Sequence, residues 1–161
     1  MVTLETQVAV KGADGMALYA FLMNPTDADY QRWWPGTHLA YHALEPGPGR
    51  VGTRLYMDEY IGRRRVAMTA VVVAAEPGRR IVWQLEWIVR LPVWVRFTLD
   101  DAPEGARVTH TIAAGYRGFG AILDGVLRLI LSPAFARDMD EHVRIEFPRL
   151  GLMLAPKTAT A

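Results

Sequence analysis

The spacing of hydrophobic and polar positions changes period three times along this chain, and the changes divide it into elements. Val2 to Val10 alternates as a strand does, with successive side chains on opposite faces. Asp14 to Met23 reads as a helix that stops before Asn24-Pro25, because the residue ahead of a proline is driven out of the helical region. A second short helix is expected over Thr26 to Trp33, capped by Thr26 and ended by Trp34-Pro35-Gly36. From Thr37 the period returns to two, with strands expected near 37–45, 51–60, 63–75, 80–89, 93–100 and 106–116. Turn residues separate them: Pro46-Gly47-Pro48-Gly49, Gly62, Glu76-Pro77-Gly78, Pro92 and Ala102-Pro103-Glu104-Gly105. After Gly118-Phe119-Gly120 the pattern turns helical and stays so to about Leu154. One domain over 1–155 with a flexible tail at 156–161 follows.

One strand, two short helices, six antiparallel strands and a long helix make an α+β domain. A sheet with one apolar face must be covered, and the last helix is the only element long enough to cover it. This order resembles the START/Bet v1-like superfamily, the broad SRPBCC or polyketide cyclase/dehydrase-like group. The resemblance implies a helix-grip fold, a curved antiparallel sheet of about seven strands closed around the C-terminal helix to leave an internal pocket. Alternation picks out the inward face: Trp83, Leu85 and Trp87 share parity with Ile81, while Val93, Val95, Phe97 and Leu99 do so on the next strand, followed by Val108 and Ile112. Such a stripe lines a pocket or simply fills a core.

Composition narrows the function classes. The 161 residues fit one domain, and 51% hydrophobic with 22% charged residues and a net charge of +1 exclude disorder and a polyelectrolyte for nucleic acid. With no cysteine, disulfides, thiolate metal sites and a cysteine nucleophile are excluded together, so any metal must be held by His, Asp and Glu. The first residues lack the basic start and apolar block of a signal peptide, so a cytoplasmic location is expected by default. The longest apolar run, Ala121 to Leu131, is interrupted by Asp124 and Arg128 and falls short of the roughly 18 residues of a membrane span. Arg63-Arg64-Arg65 reads as a solvated strand edge that discourages pairing with other chains.

Polar residues where the pattern calls for apolar ones carry the chemistry. A hairpin centred on Pro48-Gly49 sets His38 opposite Glu59, with side-chain roots about 5 Å apart on one face. The same register sets Ala40 opposite Met57, His42 opposite Leu55 and Leu44 opposite Thr53, and turns Tyr41 and Tyr60 outward. On the final helix His142 and Glu146 lie one turn apart, on a stripe with Phe135, Met139, Leu150 and Met153. Taken singly, each pair is equally an exposed i,i+4 contact or a satisfied core histidine. Taken together, two imidazoles and two carboxylates in one apolar pocket need a compensating cation, and they offer the N and O ligands zinc or another divalent transition metal accepts. His110 and Tyr116 have inward parity and are candidate acid/base groups, with packing as the plain alternative. The expected ligand pocket comprises His42, Leu55, Met57, Trp83, Leu85, Trp87, Phe97, Ile112 and Met139, with His42 also a substitute ligand.

The segments Trp33-Trp34-Pro35-Gly36-Thr37-His38-Leu39 and Asp58-Glu59-Tyr60-Ile61-Gly62, with the H-x-x-x-E at His142 and Glu146, also resemble a narrower family. These are the zinc-dependent hydrolases of diacetylphloroglucinol and phloretin. The resemblance implies that His38, Glu59, His142 and Glu146 are metal ligands and that the bond broken joins an aromatic ring to an acyl carbon. The chain is shorter than those hydrolases and its hairpin tighter. The expected function is therefore a metal-dependent hydrolase of a small aromatic or acylated phenolic ketone. The competing readings are a non-enzymatic carrier of a hydrophobic molecule and a metal-free polyketide cyclase or dehydratase. The expected partner is a small hydrophobic or aromatic molecule, with no nucleic acid and no membrane span, and a homodimer is left open.

Overall fold

The computed structural model describes residues 2–45, 50–115 and 131–156. Its elements are β1 (Val2–Lys11), α1 (Gly15–Met23), α2 (Asp27–Trp33), β2 (His38–Ala43), β3 (Arg54–Ile61), β4 (Arg64–Glu76), β5 (Arg80–Glu86), β6 (Arg90–Ala102), β7 (Gly105–Ala114) and α3 (Pro133–Leu154). The expected turn at Pro46 to Gly49, Tyr116, Gly118-Phe119-Gly120 and residues 157–161 lie outside the described residues.

The strands form one curled antiparallel sheet in the order β1-β7-β6-β5-β4-β3-β2, so β1 and β2 are its edges. The Arg63-Arg64-Arg65 run is exposed at a local sheet edge, as expected: Arg63 lies in the turn, and Arg64 and Arg65 pair with β3 alone, since β5 joins β4 only from Thr69. Each helix starts on a side chain that accepts one of its orphan N–H groups: Asp14 from Ala17, Thr26 from Asp29 and Ser132 from Phe135. Pro133 follows the last of these caps, where its missing N–H costs nothing. Met139, Val143, Phe147 and Leu150 of α3 are buried in one core with Val95, Phe97, Val108 and Ile112 of the sheet. Removing such side chains from water is what holds the helix in the sheet's concave face.

Register decides what faces inward. His38 pairs with Glu59, but the ladder then shifts, and Ala40 pairs with Asp58, Tyr41 with Met57 and His42 with Tyr56. One extra residue on β2 at this point is a β-bulge, and it reverses every side chain beyond it. Tyr41 is therefore buried on the inner face, contrary to the unbulged hairpin, and His42 is outside, where its Nδ1 meets Asp27 Oδ1 at 2.8 Å. His42 belongs neither to the pocket nor to a ligand set. Tyr60, on the other side of His38 from the bulge, is exposed as the hairpin expects. Trp87 also leaves the expected face: the β5–β6 register shifts between Gln84 and Glu86, β5 ends at Glu86, and Trp87 is 79% exposed in the turn that follows.

The C-terminal end of α3 is clamped on the end of β1. A Cβ at Gly151 would lie 2.3 Å from the Lys11 carbonyl oxygen and 2.6 Å from Val10 Cγ1. Gly151→Ala is expected to lower the unfolding free energy in urea by about 2 kcal/mol through overpacking against backbone. Leu152→Ala, at a position 74% exposed, should change it by less than about 0.5 kcal/mol.

Candidate metal centre and its cavity

The cavity between α3 and the sheet has a volume of about 450 Å³. Its wall is mostly apolar, with Met57, Trp83, Leu85, Phe97, Ile112 and Met139 all contributing to it. Leu55 is buried in the same core without lining the cavity. Against this background one cluster of polar groups stands out. His38 from β2, Glu59 from β3 and His142 and Glu146 from α3 each present an atom within 4.8 Å of the others, and all four residues are buried. Among the described residues no other group of His, Asp and Glu converges in this way.

Each position has a local cause. The bulge follows His38, so His38 keeps the facing position that the hairpin assigns it opposite Glu59. One helical turn aligns His142 with Glu146 on the inner face of α3. The remaining alignment comes from α2. The Tyr30 ring stacks on His38 with centroids 3.9 Å apart, and Trp33 meets the same imidazole edge-on at 4.7 Å. Trp33 Nε1 donates to the Glu146 carbonyl oxygen at 2.7 Å, which ties α2 to the turn of α3 that carries the carboxylate. The Tyr30 hydroxyl donates to Glu59 Oε2 at 2.5 Å. Trp34 lies over His142 at 4.8 Å between ring centroids.

His38 Nδ1 lies 3.2 Å from the Tyr30 carbonyl oxygen. A carbonyl only accepts, so Nδ1 carries a proton and Nε2 is the ring nitrogen left facing the cluster. His38 Nε2 is 3.4 Å from Glu146 and 3.7 Å from Glu59, and His142 Nε2 is 3.4 Å from Glu59 and 3.7 Å from Glu146. Both Nε2 atoms are buried without a hydrogen-bond partner. A tetrahedron with metal–ligand bonds of about 2.0–2.1 Å has edges of about 3.3–3.4 Å. The four His–Glu separations approach this, while the set as a whole spreads to within 4.8 Å, so the donor types suit a zinc-sized ion and the ligand atoms close slightly to hold it. Two orphaned buried nitrogens facing two carboxylates are otherwise a costly arrangement.

The electrostatics favour positive charge at this point. Burial works to lower the His142 pKa, but the Glu59 and Glu146 carboxylates outweigh it and raise it above the ordinary value. Burial likewise pushes Glu59 up, yet His142, Tyr30 and His38 beside it hold it below the ordinary range. Tyr30, driven well above its usual value first by burial and then by Glu59, stays a neutral donor.

His110 from β7 is buried and lines the same cavity beside Phe97. Tyr116, the other acid/base candidate, lies outside the described residues.

No protein-family model matches the chain, and no curated protein matches it. Solved structures of the same architecture do. The KanY protein in solution is 15% identical, with 95% of this chain and 97% of that one covered at a TM-score of 0.65. A protein from Chromobacterium violaceum is 16% identical, covering 93% and 97%, with a TM-score of 0.59. Major latex-like protein 151 from Panax ginseng is 15% identical, covering 88% and 96%, with a TM-score of 0.55. The fold is the Bet v1-like helix-grip fold. Among the described residues of this helix-grip domain, no helix is long and apolar enough to cross a membrane.

Three cavity residues escape a reading of the sequence. Tyr30 and Trp33 carry a detectable sign, their i,i+3 spacing on one face of α2, but the partners that give them a role are distant in the chain. Tyr41 is hidden by the bulge. Its hydroxyl donates to the Leu22 carbonyl, and burial, then Glu146, drives its pKa well above the ordinary value.

Burial lowers the His110 pKa from 6.5 to about 4, with Glu59 opposing and His142 reinforcing the shift, so His110 is neutral at neutral pH. A histidine depressed on folding takes up its proton more readily unfolded, so it destabilises the fold as pH falls from about 6.5 to about 4. Between pH 7 and pH 4.5, His110→Leu is expected to lose about 2 kcal/mol less unfolding free energy than the wild type in urea titrations.

Proposed function

We propose that the cavity binds a small aromatic or hydrophobic molecule, and that a zinc-type ion held by His38, Glu59, His142 and Glu146 makes the protein a hydrolase of an acylated phenolic ketone. The helix-grip fold and the apolar wall support the first half. That an ion is held there rests on one observation, two buried Nε2 atoms without hydrogen bonds set against two carboxylates at 3.4 to 3.7 Å. The acylated phenolic ketone as substrate is what the resemblance to the zinc-dependent hydrolases implies.

An ion bound there supplies Lewis acidity towards a carbonyl and an activated water. The protein's own groups supply the rest. Glu59 and Glu146 offset the divalent charge, and the Tyr30 hydroxyl and the Tyr30 carbonyl orient Glu59 and His38 from outside the ligand set. The apolar wall positions the ring and excludes bulk water. Hydrolysis of an aryl ketone places OH on the acyl carbon and H on the ring carbon. Water supplies both: neutral His110, in the same cavity, can take the proton of the attacking water on its bare ring nitrogen and pass it to the ring carbon, returning to the neutral form.

The carrier reading stops at binding, and the fold together with the cavity supports it without any ion; a cyclase or dehydratase also needs no metal. Metal uptake separates these from the hydrolase. Wild-type protein is expected to take up about one zinc ion per chain in calorimetric titration. Tyr30→Phe should weaken uptake by roughly 10- to 100-fold as an outer partner, and His142→Ala by more. Loss of that imidazole leaves Glu59 and Glu146 together with less to offset their repulsion, which raises a carboxylate pKa. Zinc-loaded protein should cleave an acylated phenolic ketone between ring and acyl group, followed by chromatography. Wild-type protein that stays metal-free in excess zinc, or unchanged uptake in His142→Ala, defeats the hydrolase and leaves the carrier.

A further inference from the structure

The rim of the cavity carries two adjacent arginines with different roles. Arg65 is committed: its Nε and Nη2 donate to the two oxygens of Asp58 at 3.0 and 2.6 Å, and this pairing holds the Asp58 carboxyl below its usual range. Arg64 also lines the cavity, and among the described residues it makes no hydrogen bond or ion pair. It pairs across the β3–β4 turn with Ile61, which is buried, and it shares parity with Val66 and Met68, both of which line the cavity. Leu131 and Phe135, which line the cavity from the α3 side, are apolar. Asp138 of α3 comes close to Gly62 at the hairpin tip and forms no ion pair with Arg64.

Position along the strand gives the distance. Val66 lies opposite Glu59, and Arg64 stands two residues further along β4, roughly 7 Å at about 3.3 Å per residue. A molecule whose polar end meets the quartet therefore brings its far end to a guanidinium whose five donors are unspent among the described residues. The cavity's other charged lining groups are the paired Arg65 and the two carboxylates of the quartet.

We propose that Arg64 receives the anionic group of an amphipathic ligand, one with an aromatic or fatty body in the cavity and a carboxylate, sulfonate or phosphate at the rim. Charge-assisted hydrogen bonds from a guanidinium are roughly twice as strong as neutral ones and match these planar or forked oxygens. This rests on the reading of the cavity as a ligand site and is independent of the metal.

Two fluorescent probes with the same body test it: 8-anilinonaphthalene-1-sulfonate and the neutral N-phenyl-1-naphthylamine, which lacks the sulfonate. Arg64→Gln is expected to weaken the anionic probe about tenfold and the neutral probe less than twofold. Arg64→Lys should restore part of the difference, since the charge returns without the fork. Raising salt should weaken the anionic probe in the wild type and have little effect in Arg64→Gln. The split should appear with zinc present and with a chelator, so a protein that takes up no metal still tests the rim. Phenylpropanoate and phenyl phosphate as competitors then rank carboxylate against phosphate by their loss of affinity in Arg64→Gln. Equal weakening of both probes, or of neither, overturns the role of Arg64 while leaving the cavity as a ligand site. Failure of both probes to bind the wild type overturns the role of Arg64 and the ligand site together.

Discussion

Burying two carboxylates and two imidazoles in a wall that is otherwise apolar is the constraint on which the rest of this structure depends. Such groups are tolerated only where other groups answer them. Here the answer comes from several directions: a stacked tyrosine ring, a phenol donating to Glu59, a backbone carbonyl fixing the tautomer of His38, and an indole holding the Glu146 turn. All of these come from Tyr30 and Trp33 of α2. The short helix, which looks incidental in the chain, is the outer shell of the site.

The scaffold keeps the cluster open to a ligand. The sheet supplies one wall and α3 the other, and α3 is fastened at its far end where Gly151 sits against the backbone of β1. The quartet bridges β2, β3 and α3, so its geometry depends on that fastening even though Gly151 is distant in sequence from His38 and Glu59. The cavity wall combines the acidic and imidazole groups of the quartet, aromatic and aliphatic side chains, and a guanidinium, Arg64, that is unpaired among the described residues. A molecule complementary to this combination has two polar ends of different character and an apolar middle.

Most strands and both short helices were legible because turn residues and alternation are local signals, and their ends agree with the structure within a few residues. His38 opposite Glu59 was legible for the same reason, as was the common face of His142 and Glu146. The misplacement of His42 and Tyr41 comes from the bulge, which leaves no mark in hydrophobic periodicity yet exchanges the two faces of a strand beyond it, while Trp87 is misplaced because β5 ends at Glu86, just past its register shift.

By itself the sequence determined the order of elements, the α+β class and the four residue types that stand out against an apolar pattern, because these depend on periodicity and turn chemistry within short windows. Only the tertiary structure decided that β2 and α3 meet across Glu59, that Tyr30 closes over His38, and that Arg65 is paired while Arg64 is free among the described residues. Those outcomes join residues far apart in the chain. They depend on where a bulge falls and how the sheet curls, which no local pattern encodes.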